Sequence, residues 1–247
     1  MKTLYKLFLL IVLSGMLSCK QSAKITITGI LDSCEGTVVK ITSIGFKTTY
    51  DSTRIKNKRF KFVIDLPEDG FYQLDFNSRT PHKGSSGWMH PCEFFAENGA
   101  IYQFKASGAE EILYNRYDMR SSSVDEKKFN EYKRLVNLKI DTIRAKRKYY
   151  LNKADEALNA GQNKLYNTYA DSINLTEGAI NQASLPAIHQ FVSQNPNTII
   201  TPYLIAQTSD IYENYALYKK ALNGLSAKVK QSKYYNEANK RLKSMKK

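Results

Sequence analysis

From Lys24 to about Ala106, apolar and polar residues alternate with period two, in short runs bounded by Gly, Asp and Asn. Lys24–Thr28, Val38–Ile41, Arg59–Ile64, Phe71–Phe76 and Ile101–Phe104 each place apolar side chains on one face and polar ones on the other, as half-buried strands do. Eight of the twelve glycines (29, 36, 45, 70, 84, 87, 99 and 108) fall in this half, where turns between short strands need them. The spacing predicts about seven antiparallel strands in a β-sandwich over 24–120. Beyond Ser123 the period lengthens. Phe129, Tyr132, Val136, Ile140, Ile143, Tyr150, Ala154 and Leu158 recur at steps of three, four and seven residues, and Tyr166, Tyr169, Ile173, Ile180, Ile188 and Phe191 continue the pattern past Gly161. Two long amphipathic helices in an antiparallel hairpin follow. Pro186 either kinks the second or opens a new helix capped by Ser184. Asn195-Pro196-Asn197 breaks the chain, Thr201-Pro202 starts a further helix, Gly224 stops one, and Ser226 caps a last basic helix. The expected fold class is α+β: the sandwich, then a helical region over 121–247 made of the hairpin and shorter helices.

The first nineteen residues do not fit this scheme. Lys2 and Lys6 precede an unbroken apolar run, Leu7 to Leu13, and short residues then lead to Cys19. The run is about half of the ~20 apolar residues that a membrane span needs, so it reads as a secretory signal. Leu17-Ser18-Cys19 resembles the bacterial lipobox, with Met16 where Leu is usual. That resemblance implies cleavage after residue 18, lipidation of Cys19 and an anchor linker over 19–23; the other reading is an ordinary signal with an incidental Cys. Several acyl chains would anchor the chain permanently in the bilayer. Lys20 rather than Asp after the Cys points by analogy to the outer membrane, and the lack of an acidic run over 20–24 to its periplasmic face.

Charge divides the chain at the same place as periodicity. Residues 19–120 carry 14 basic and 12 acidic side chains, residues 121–247 carry 21 and 11, and the whole chain is +14. Lys228, Lys230, Lys233, Lys240, Arg241, Lys243, Lys246 and Lys247 face only Glu237 in the last segment. In an envelope protein this is a solvated face or a patch for anionic lipid, and no nucleic-acid partner is expected.

No nucleophile elbow, phosphate loop, zinc-protease motif or carboxylate pair is present, so no enzyme activity and no cofactor is expected. Cys34 and Cys92 are the remaining thiols. The periplasm permits a disulfide between them, worth roughly 4 kcal/mol for a loop of this length; two buried structural thiols are the other reading. The segment Pro81–Cys92 gathers His82, Trp88 and His90 before Cys92, which suits either an aromatic plug or a ligand loop. His-x-Cys with no second pair is not a zinc spacing, so no metal is expected.

The first half resembles the β-domain of unknown function that opens secreted lipoproteins of Bacteroidota-type bacteria and precedes a thioredoxin-like domain in them. Ile25-Thr-Ile-Thr-Gly29, Gly36-Thr-Val-Val39, Tyr50-Asp-Ser-Thr53, Lys58-Arg-Phe-Lys-Phe62 and Phe94-Phe-Ala-Glu-Asn-Gly99 carry the likeness. Phe191-Val-Ser-Gln-Asn-Pro196 and Val229-Lys-Gln-Ser-Lys-Tyr234 are similar to the helical connector of those proteins. In that family the thioredoxin-like domain follows where this sequence stops, and no Cys-x-x-Cys occurs here. The resemblance therefore implies a non-catalytic binding or scaffold module, with a separate thioredoxin-like or other envelope protein as partner. A thiol–disulfide protein using Cys34 and Cys92 is the alternative. The uncovered connector would expose Tyr203, Leu204, Tyr212, Tyr215 and Tyr218 as a partner surface; the competing expectation is that these residues fold back as core.

Overall fold

The structure is a computed structural model and describes residues 23–77, 91–108, 111–112 and 116–245. Cys19, and the segment holding His82, Trp88 and His90, lie outside the described residues. Among the described residues eight strands come first: β1 (Ile25–Leu31), β2 (Val38–Ser43), β3 (Thr49–Arg54), β4 (Arg59–Ile64), β5 (Gly70–Asn77), β6 (Cys92–Ala96), β7 (Ile101–Ala106) and β8 (Asp118–Ser121). Six helices follow: α1 (Val124–Asn159), α2 (Asn163–Gln194), α3 (Ile200–Gln207), α4 (Tyr215–Asn223), α5 (Ala227–Lys230) and α6 (Lys233–Ser244). The strands form two four-stranded sheets, β4-β1-β7-β8 and β3-β2-β5-β6. All pairings are antiparallel except β1 with β7, which run parallel.

Alternation fixes what each face does. Ile25, Ile27 and Leu31 of the first sheet meet Val39, Ile41, Tyr72, Leu74, Phe76, Cys92 and Phe94 of the second in the core between the sheets. The intervening residues of β5 and β6 point the other way, and two of them, Phe71 and Phe95, are buried in a second core with Phe129, Phe191, Tyr203, Leu204, Tyr218 and Tyr234. The molecule is thus three layers: sheet, sheet, helices. Tyr203 stacks on Phe71 with ring centroids 3.5 Å apart, and the Phe71 amide donates to the Tyr234 hydroxyl at 2.8 Å.

This corrects the expected partner surface. Tyr203, Leu204 and Tyr218 are buried within the same chain: Tyr203 stacks on the outward-facing Phe71, and Tyr218 packs against His189 and donates to Asp210. Tyr215 is partly buried against the same core, and only Tyr212, at 69%, remains exposed.

Three of the six helices, α1, α5 and α6, begin at a serine whose side chain caps them. Ser123 Oγ accepts the Glu126 amide at 3.2 Å and starts α1. Gly161, at φ +69°, turns the chain from α1 into α2. Pro186 lies inside a continuous α2, and Ser184 donates to the Asn181 carbonyl instead of capping a new helix. The final basic segment is divided: Ser226 caps the single turn of α5, and Ser232 caps α6. Outward of Arg144 the hairpin contacts itself, through the Arg147–Glu177 ion pair (2.9 Å) and the Tyr150–Tyr169 rings (6.4 Å). At about 1.5 Å per residue, α1 is roughly 54 Å long, so much of the hairpin stands clear of the sheets.

Candidate functional site

On the outward face of the second sheet, strand register lines up three polar residues where the flanking rows are Phe71 with Phe95 and Lys40 with Asp75. Thr42 of β2 pairs with Gln73 of β5, and Gln73 pairs with Glu93 of β6. Polar side chains on an outward strand face ordinarily meet water, but here α1 packs against β6 and over Gln73 and Glu93. Thr42 is 2% exposed and Gln73 8%. Among the described residues, neither Thr42 Oγ1 nor Gln73 Oε1 has a hydrogen-bond partner. An unsatisfied buried polar atom forfeits about 1–3 kcal/mol of hydration, so two on adjacent strands mark a place where packing has been left incomplete.

Beside them is a cavity of about 320 Å³ between the sheet and α1, lined by Gln73, Glu93, Tyr132, Lys133, Asn137 and Arg144 among others. Its volume lies at the lower end of the range for small-molecule sites. The charged groups around it are held by partners of the same chain. Glu93 Oε1 accepts the Tyr203 hydroxyl at 2.5 Å, and its backbone carbonyl accepts Tyr117 Oη at 3.3 Å and Lys133 Nζ at 3.4 Å. Glu126 Oε2 accepts the Phe95 amide at 2.7 Å, with Lys133 Nζ 3.3 Å from Oε1. Lys133 Nζ lies over the Phe129 ring at 4.6 Å. Arg144 donates to Asn137 Oδ1 at 2.6 Å and sits 3.7 Å from Asp141.

Burial pushes the Glu93 and Glu126 carboxyls above their ordinary range, and Lys133 pulls both back. Each cation of the lining is paired with a carboxyl that lies outside it, Lys133 with Glu126 and Arg144 with Asp141. Glu126 has been committed to an amide, and Glu93 to a hydroxyl. The arrangement therefore suits hydrogen bonding to a small neutral or zwitterionic molecule that carries an N–H or O–H for Gln73 Oε1, rather than proton transfer.

Cys92 is adjacent in sequence to Glu93 but faces the core between the sheets. It carries a buried thiol that burial holds well above the usual range, with Lys133 and a hydrogen bond from Tyr117 acting in the opposite sense. Reactive cysteines need the reverse, a lowered value and access. Cys34, also buried, lies in the β1–β2 connection. Both thiols belong to the core between the sheets, and no disulfide joins them.

A second polar cluster ties the helices together. Asp210 accepts His189 Nε2 (2.6 Å), Tyr218 Oη (2.7 Å), Asn214 Nδ2 (2.8 Å) and the Thr208 hydroxyl. Burial would raise its carboxyl, but the hydrogen bonds from Thr208, Tyr218 and His189 outweigh that and hold it below the ordinary range. The cluster latches α2 to the α3–α4 connection.

Sequence reading missed Gln73, Glu93, Glu126 and Lys133. One signal was available: Ser123-x-x-Glu126 has the capping-box spacing, although Glu126 reaches across to β6 rather than back to Ser123. Among the described residues no group of acidic, His and Cys side chains could hold a metal ion, and no helix is long and apolar enough to cross a membrane. Comparison with protein-family models, with curated proteins and with solved structures finds no match to this chain.

Proposed function

We propose that this chain is a lipid-anchored protein of the bacterial envelope, held at the periplasmic face of the outer membrane through Cys19, and that it acts as a non-catalytic binding module. Its ligand is a small, polar, net-neutral molecule taken up between the second sheet and α1. The observation that carries this reading is the buried Gln73 Oε1, without a partner among the described residues, in the lining of a 320 Å³ cavity, with Thr42 Oγ1 in the same condition on the next strand. A ligand N–H or O–H at Gln73 would recover the hydrogen bond that folding leaves unmade. The resemblance to β-domains that accompany thioredoxin-like domains agrees with a role as a holder rather than a catalyst, and makes a separate thioredoxin-like protein a natural neighbour. A thiol–disulfide role for Cys34 and Cys92 has less support, since both are buried and the Cys92 thiol is held protonated.

Native mass spectrometry of the protein extracted from membranes tests both parts at once. The expected spectrum is a chain beginning at an acylated Cys19, with a non-covalent small molecule retained. A chain that starts elsewhere without acyl groups overturns the anchor, and an empty chain in every preparation overturns the binding role.

A further inference from the structure

We infer that the outward face of the β4-β1-β7-β8 sheet is a docking surface for anionic lipid headgroups. Among the described residues the helices pack on the second sheet and meet this one at β8, where Asn130 of α1 donates to the Met119 carbonyl, while outward side chains of β1, β4 and β7 stay exposed. Its register sets Lys61, Thr28, Gln103 and Arg120 in one row across the strands, and Arg59, Ile30, Lys105 and Asp118 in the next. Arg54 joins them at the edge of a shallow groove. Among the described residues lining the groove, five cations meet a single carboxylate, Asp118, which is paired with Arg120 at 2.9 Å.

The face is also apolar in a particular way. Ile30, Val63 and Ile101 are 40%, 51% and 55% exposed, and Val63 and Ile101 flank Thr26 in the same register. Exposed aliphatic side chains among Lys and Arg match a headgroup interface, where cations meet phosphates and short apolar groups enter the acyl boundary. A purely polar acidic partner would leave these aliphatics in water.

The position of the face in the chain agrees, and this step alone rests on Cys19 as the anchor. Residues 20–24 can span at most about 18 Å, so β1, which runs through the middle of this sheet, starts close to the bilayer.

The test uses the full chain carrying Cys19→Ala, so that no acyl group contributes, with vesicles of phosphatidylcholine with and without phosphatidylglycerol. Binding to the anionic vesicles should be salt-sensitive. Arg59→Glu, Lys61→Glu and Lys105→Glu together should lower it about a hundredfold, the combined effect of three cations near an anionic surface. The same number of reversals on the hairpin, Lys139→Glu, Lys146→Glu and Lys164→Glu, gives an identical net charge and should change it less than about threefold. A parallel set with Gln at positions 59, 61 and 105, checked by thermal unfolding, separates lost contacts from lost folding. Equal losses in the face and hairpin variants, or no anionic preference at all, would overturn the inference. So would loss of binding to soluble polyglutamate through the face while vesicle binding is unchanged. Failure of lipid labelling at Cys19 would leave this result intact, so the two claims fail separately.

Discussion

Glu126 and Asp210 are buried acids that the fold treats in opposite ways. Burial raises the Glu126 carboxyl and hydrogen bonding lowers that of Asp210. A carboxyl raised in the folded chain binds protons more readily there than in the unfolded chain, so its contribution is fullest below the unfolded value of about 4.3 and is lost as pH rises through the folded one. A lowered carboxyl contributes fully above the unfolded value of about 3.9 and loses that contribution as pH falls through its folded value. Urea unfolding between pH 3 and 7 should therefore show the wild type gaining on Glu126→Gln toward acid and losing its advantage over Asp210→Asn in the same direction. Parallel slopes for the two variants would contradict the assignment. Glu126→Ala, which strands the Phe95 amide and Lys133, should cost about 1–3 kcal/mol at neutral pH, and Glu126→Gln less.

At the scale of elements, β1 is held by a close fit at Gly29. A methyl group there would stand 2.0 Å from Phe60 Cε1. Phe60 cannot withdraw, since Phe62, Phe76 and Phe104 surround it with ring centroids 5.8–5.9 Å away. Gly29→Ala should cost about 1–3 kcal/mol in chemical denaturation, whereas a change within about 0.5 kcal/mol would mean that the ring moves freely. Strands such as β1, β4 and β7 were legible in the sequence because one face is buried and the other wet, which leaves a clean period of two. β3 and β8 were harder to read: β3 is an edge strand with no fully buried residue, and β8 has four residues of which one is buried. The parallel pairing of β1 with β7 leaves no local trace, since register between distant strands is set by packing alone. Pro186 lost to its context, because the apolar face of α2 continues through Ala187, Ile188 and Phe191.

At the scale of the whole molecule, the period of the helices disclosed which face is apolar but not what covers it. Tyr203, Leu204 and Tyr218 could be placed only once Phe71 and Phe95 were seen to point out of the sandwich, and a strand pattern alone reads those two as solvent-side residues. The cleft was illegible for the same reason. Gln73 and Glu93 occupy positions that alternation assigns to water, and only the laying of α1 across the sheet turns them into buried groups. The most direct measurement of the central claim, a binding cleft built around an unpaired acceptor, is the thermal unfolding of Gln73→Leu after refolding from denaturant has removed any bound molecule. Leu keeps the volume and deletes the orphan oxygen. The variant should melt at or above the wild type, by up to about 4 °C if the relief is near 1 kcal/mol. A clear fall in melting temperature would show that Gln73 is an ordinary structural residue with partners of its own, and would contradict the account.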